Sequence, residues 1–187
     1  MTAPESLPWT GDTEADRLLA SNPFALLTGM LLDQQFPMER AFYGPYLLGQ
    51  RLQVDLLTPE VVVATDPDQL EQIFKGPPAI HRFPGSMARR TQELARHLVD
   101  HYDGDTARIW ESAGSGVELL RRLEDLPGFG KAKARIFVGV VGKRLSAGPP
   151  GWEKVAADWP SIADVARWED VTQLRQQKRD MKAARGH

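Results

Sequence analysis

Apolar residues recur along this chain at helical spacing, and polar or turn-forming residues break them into separate segments. Phe24–Leu32 is apolar on every side, so a fully buried helix is predicted there. A second helix is predicted from Pro37, with Phe42, Tyr46 and Leu47 on one stripe. Leu70, Ile73 and Phe74 define a short amphipathic helix that Gly76-Pro77-Pro78 must end. Leu94, Leu98 and Tyr102 share a face of a helix from Met87 to Tyr102, leaving Arg89, Arg90, Arg96 and His97 elsewhere. Ile109-Trp110 and Val117–Leu123 continue the pattern. Ile136, Val140 and Val141 give a further helix its apolar face, with Lys143 and Arg144 at the C-terminal end, where cations suit the dipole.

Start signals agree. Asn22-Pro23, Thr58-Pro59 and Asp66-Pro67 each place a capping side chain before a proline at the first helical position. Asp66–Gln69 and Ser115–Glu118 match the capping box. Val61-Val62-Val63 is strand-like in composition, but its Pro-Glu start predicts a short buried helix. With no alternating run of useful length, the expected fold class is all-α. Ala147–Gly151 is a break, and Trp152–Trp159 carries no assignment. From Val171 the chain is rich in Gln, Lys and Arg, which fits either a helix lying along DNA or a frayed solubilising tail.

The 187 residues are enough for one domain with a real core, in one or two lobes. The formal charge is −2, but it is unevenly spread. Residues 1–70 carry three basic against ten acidic residues, and residues 71–187 carry 20 against 15. A positive half permits a basic face toward phosphates, and equally an ordinary solvated surface. Cysteine is absent, which excludes disulfides, a thiolate nucleophile and any cysteine-held zinc or iron–sulfur cluster. Met1–Trp9 lacks the basic and apolar regions of a signal peptide, and no apolar run approaches the roughly 20 residues that span a bilayer. A soluble, cytoplasmic protein without membrane contact is expected. Of the histidines (His81, His97, His101, His187), only His97 and His101 are paired at i, i+4, and no further ligand is evident, so neither metal nor cofactor is expected.

Chemistry concentrates in Leu123–Ala134. A helix from Val117 ends near Glu124, Pro127 and Gly128 force a turn, and a new helix begins near Lys131. Gly130 lets the backbone approach another group closely. The first amides of the new helix have no intrahelical partner and carry the positive end of the dipole, so a phosphate oxygen can sit on them. Lys131 and Lys133 are expected to add countercharge, with Leu126 and Phe129 pinning the turn to the core. Such a site holds a nucleic-acid backbone without reading its sequence.

Leu126-Pro127-Gly128-Phe129-Gly130 resembles the hairpin of the helix-hairpin-helix–Gly/Pro–Asp family of base-excision DNA repair glycosylases, which includes the endonuclease III-like enzymes. Phe24 to Leu32-Asp33-Gln34-Gln35 is similar to that family's early helix, which ends in a Ser-Gln-Gln-like tripeptide. His81-Arg82-Phe83-Pro84-Gly85-Ser86-Met87-Ala88 resembles its turn before a basic helix. The similarity runs from about Phe24 to Arg144 and implies a two-lobed helical fold. On that pattern residues 24–135 form a helical barrel lobe ending in the hairpin, and residues 1–23 with 136–187 form a second lobe. It also implies lesion-bearing duplex DNA as partner, a monomer, and contacts from Gly128, Phe129, Gly130, Lys131, Lys133, Gln35, His81 and Arg82.

Two departures matter. The lyase members carry a Schiff-base lysine two residues after the second hairpin glycine; here that residue is Ala132, and Lys131 and Lys133 point elsewhere at about 100° per residue. A monofunctional, hydrolytic glycosylase is therefore expected rather than a lyase. The family's catalytic Asp falls at Pro150, so the candidate carboxylates are Asp33, Glu153 and Asp158, any of which could stabilise an oxocarbenium-like sugar. Gln34 and Trp152 are expected to line the pocket for a flipped base. The alternative is a DNA-damage binding module without chemistry; a protein-interaction scaffold is a third reading, opposed by the lysines of the hairpin.

Overall fold

The computed structural model describes residues 3–186, and the fold is all-α, with no strand among them. His187 lies outside the described residues. Near the N-terminus, α1 (Thr13–Ser21) starts at Asp12, whose side chain accepts from the Ala15 amide. α2 (Pro23–Leu32) follows at once, capped by Asn22, whose side-chain amide also donates to the Leu57 carbonyl. Phe24–Leu32 is buried throughout, as a helix without a polar face must be. It packs closely on α3 (Met38–Leu52), because a Cβ on Gly29 would stand 2.5 Å from a Phe42 ring carbon.

Two short helices with proline starts, α4 (Pro59–Ala64) and α5 (Pro67–Lys75), lie against the long α6 (Pro84–Tyr102). The valine run 61–63 is thus helical, with Val62 buried. A short α7 (Arg108–Glu111) leads to α8 (Gly116–Glu124), and after six intervening residues α9 (Lys131–Gly139) begins. α9 passes into a π-helical turn, Val140–Arg144, then come α10 (Trp152–Val155), a 3-10 turn at Ile162–Asp164 and α11 (Asp170–Arg185). The basic tail is therefore a helix. Val171 and Leu174 bury its first half, while its second half is largely exposed.

The capping boxes fall elsewhere than expected. Ser115 does accept from the Glu118 amide, but Glu118 turns its carboxylate to the Gly114 amide and to Arg122. A reciprocal box forms instead at Ser161–Asp164. The core joins distant segments: Trp9 packs edge-on against Phe42 at 4.9 Å and donates its indole N–H to the Val165 carbonyl.

Candidate nucleic-acid interface

Three segments far apart in sequence meet at the C-terminal end of α2. From the hairpin, Lys133 Nζ donates to the Met30 carbonyl at 2.7 Å and the Leu31 carbonyl at 3.1 Å, and Gly128 lies against the Leu31 side chain. From the turn before α6, His81 Nε2 donates to the Leu32 and Gln34 carbonyls at 3.0 and 3.1 Å. The tautomer follows because His81 Nδ1 accepts the Phe83 amide at 3.0 Å. α2's last carbonyls, which lack the helix's own i+4 donors, thus gain two side-chain donors from elsewhere beside the local Asp33 and Gln34 amides. Arg90 of α6 then binds Gln34 Oε1 at 2.9 Å, and Gln34 Nε2 returns to the Leu31 carbonyl.

The hairpin has the expected form. Leu126 and Phe129 are buried, Gly128 has φ +83°, and Gly130 caps α9 without a side-chain cap. A Cβ on Gly130 would meet nothing within 4 Å, so its backbone faces open space. Lys131 is exposed beside it. Lys133 is a correction to the expected countercharge: its ammonium is turned inward to α2, and burial brings its pKa down to about 8 against the opposing pull of Asp33. His81 is a second correction. It is buried and both ring nitrogens are engaged, so it holds the turn rather than facing a ligand. Gln34, expected in a base pocket, has its amide committed to Arg90 and Leu31.

What remains outward is a different set. Gln35 is exposed in the left-handed conformation, φ 52°, just past the end of α2. Around it, Arg40 lies over the Phe36 ring and exposed Arg82 over Phe83, itself 41% exposed. The sequence reading missed Phe83 and Arg90. An aromatic residue in a Pro-Gly turn flanked by arginine was the available signal.

The candidate carboxylates separate. Glu153 is exposed on α10, and Asp158 is exposed and 3.8 Å from Arg135. Asp33, the residue that ends α2, sits among the three segments. Burial raises its carboxyl above the ordinary aspartate pKa, while Lys178 and Lys133 pull the other way. A cavity of about 510 Å³ opens beside Ala132. Its apolar wall includes Ala132, Ile136, Trp159 and Met181, and its cations are Lys178, Lys182 and Arg185 from α11; among the described residues no carboxylate lines it. Trp152 is not part of it. Its indole packs on Gly142 and Gly148, where any Cβ would come within 2.5 Å of the ring, so Trp159 is the aromatic residue of the cavity.

The buried imidazole has a consequence for stability. Burial, the largest influence, lowers the pKa of His81 below its ordinary value, with Lys133 and Arg90 adding to it and the Gln34 and Leu32 carbonyls opposing. Burial likewise lowers His97, aided by His101. In acid the unfolded chain therefore takes up protons that the folded chain refuses, and stability falls as pH drops below the unfolded value of about 6.5. Urea midpoints measured between about pH 7 and 5 are expected to decline, with a smaller decline for His81→Gln. A flat wild-type profile would contradict the neutral, buried ring.

No family model and no curated protein matches the chain. Among solved structures, the chain is similar to a non-covalent endonuclease III–DNA complex, with a TM-score of 0.48 and 21% identity. It is also similar to a trapped endonuclease III–DNA covalent intermediate, an estranged-adenine complex, with a TM-score of 0.44 and 21% identity. Each match covers 83% of this chain and 71% of the other. Among the described residues, no helix is long and apolar enough to cross a membrane, and no group of three or more acidic or histidine side chains could hold a metal ion.

Proposed function

We propose that this protein binds lesion-bearing duplex DNA through the hairpin and removes a damaged or modified base by hydrolysing its N-glycosidic bond. One observation carries the reading: the end of α2 ties the hairpin and the turn before α6 into a single unit, leaving the Gly130 backbone, Lys131, Gln35 and Arg82 outward. A strand can lie on the α9 amides and Lys131 by its phosphates, as anions do at helix starts. Gln35, held in a left-handed turn, and the exposed Phe83 ring are shaped to enter the stack where a nucleotide leaves it. In this reading Asp33, beside Lys133 at the end of α2, stabilises positive charge on the sugar and orients water. α9 itself offers no amine to the cavity, since Ala132 stands there.

A second reading, a damage sensor without chemistry, is favoured by the absence of any carboxylate among the residues lining the cavity beside Ala132. Duplexes carrying single lesions, incubated with the protein and then treated with alkali, separate the two. Strand breaks at a lesion support base removal, and binding without breaks at any lesion supports the sensor. The contact itself is tested by Lys131→Glu. Affinity for all duplexes is expected to fall alike, with the log–log salt slope reduced by about one, because a single phosphate contact is lost without loss of base reading. Unchanged affinity would remove the hairpin from the interface. Lys133→Ala, by contrast, strips the cap from α2 and is expected to cost about 1–3 kcal/mol of stability.

A further inference from the structure

The cations of α11 are not spread as on a helix that only solvates a chain end. At about 100° per residue, Lys178, Lys182 and Arg185 fall on the same side of the helix as Val171 and Leu174. In the first half that side is buried in the body, and Arg175 is bound to Glu39 of α3. In the second half the body falls away. There the three cations are exposed and line the cavity beside Ala132, around half-buried Met181. Like charges three and four residues apart on a helix repel. No acid stands three or four residues from any of the three, and the one acid of this half, Asp180, is on the opposite side, bound by Gln176. Among the described residues none of the three forms an ion pair, whereas Arg17, Lys75 and Arg108 each do. Lys178 acts on Asp33 only from beyond ion-pair distance.

We propose that this face of α11 is a second phosphate-binding surface for duplex DNA, gripping the backbone that the start of α9 receives. The inference rests on the DNA-binding reading above and adds contacts that the hairpin does not make. Its place argues for that occupant. Ala132, the second residue of α9, lines the same cavity, so the three cations flank the free first amides of α9 and exposed Lys131. Its length argues for it too. Seven residues of helix rise about 10.5 Å, and one DNA strand advances about 3.4 Å per nucleotide, so Lys178 to Arg185 spans about three nucleotides. A row of that length suits an evenly charged strand better than a single small anion. Val171, Leu174 and the Arg175–Glu39 pair fix the root of the helix, which holds the row in place before DNA arrives. Such contacts set register and affinity and read no base.

The test uses the whole protein and needs no knowledge of the lesion. Affinity is measured between about 50 and 200 mM salt for an undamaged duplex and for one with a tetrahydrofuran site, which offers no base to remove. The variant is Lys178→Gln/Lys182→Gln/Arg185→Gln, since glutamine keeps helix propensity. The control is Arg17→Gln/Lys75→Gln/Arg108→Gln, which removes three exposed, ion-paired cations and changes net charge equally. The α11 variant is expected to lose about two to three from the log–log salt slope on both duplexes, at about 0.9 per phosphate, while the control loses less than about 0.5. Its Tm should match or exceed that of wild type, because repulsion along the helix is relieved. Equal slopes in variant and control would make the row a solvated face and overturn the proposal, leaving the hairpin contact standing. Displacement of the duplex by poly-glutamate as readily as by unlabelled duplex, at equal charge, would assign the face to acidic protein and also overturn it. Failure of the wild type to bind either duplex overturns both readings.

Discussion

Gly130→Ala is expected to weaken DNA binding by about tenfold or more while leaving the fold nearly as stable as wild type, and Gly128→Ala is expected to do the reverse. The two glycines sit two residues apart in one turn, yet the structure gives them opposite work. Gly130 has φ −83°, a conformation any residue adopts, and an added methyl would meet no protein atom. The methyl would instead stand where a phosphate must approach the first amides of α9. Loss of one charge-assisted hydrogen bond is worth about 1.5–3 kcal/mol, which sets the tenfold scale. Gly128 has φ +83°, and its added Cβ would lie 2.4 Å from a Leu31 methyl. Left-handed backbone and overpacking together cost about 2–4 kcal/mol. In a chain of this size that lowers Tm by roughly 5–15 °C. Measuring Tm and affinity for one duplex on both variants decides the matter. Equal loss of affinity in both, scaling with lost stability, would mean that the hairpin shapes the core and touches no strand.

That pair also shows where sequence stops being informative. The hairpin was legible because Leu-Pro-Gly-Phe-Gly between two amphipathic segments leaves one outcome for the backbone: a turn, a positive φ and a helix start with free amides. The helix Phe24–Leu32 was legible for the same kind of reason, since a segment whose only polar side chain is Thr28 has no face to turn to water. Side-chain direction was not. Lys131 and Lys133 are equivalent as letters, but the docking of α9 on α2 turns one outward and brings the other to the Met30 and Leu31 carbonyls, 103 and 102 residues away. His81 reads as a ligand in a flexible turn until the Leu32 carbonyl, 49 residues back, is seen to bind it. Trp152, expected in the pocket, packs against the body instead because glycines at 142 and 148 leave room for its indole, and Trp159 lines the cavity.

Asp33→Asn is the substitution with the largest expected effect on chemistry, and its sign on stability is opposite to its sign on activity. Burial raises the Asp33 carboxyl above its ordinary pKa more strongly than Lys178 and Lys133 lower it. A carboxyl so shifted holds its proton more tightly in the folded chain than in the unfolded one. Its contribution to stability is therefore present in acid and lost as pH rises through the folded value, so at neutral pH the ionised group strains the fold. Asparagine keeps the shape and removes the charge. Tm at neutral pH should rise, and the gain should vanish in acid, where both side chains are neutral. Base removal should fall about 10²–10³-fold, the scale on which one preorganised group stabilises developing charge. Binding to a tetrahydrofuran duplex should change little, because the hairpin amides and Lys131 are untouched. A variant that is more stable, still binds DNA and no longer excises would place Asp33 at the reacting sugar, an acid kept at a cost in stability for its function. Undiminished excision would move the chemistry to another carboxylate, and a lower Tm at neutral pH would mean that the pairing with Lys133 and Lys178 outweighs burial after all.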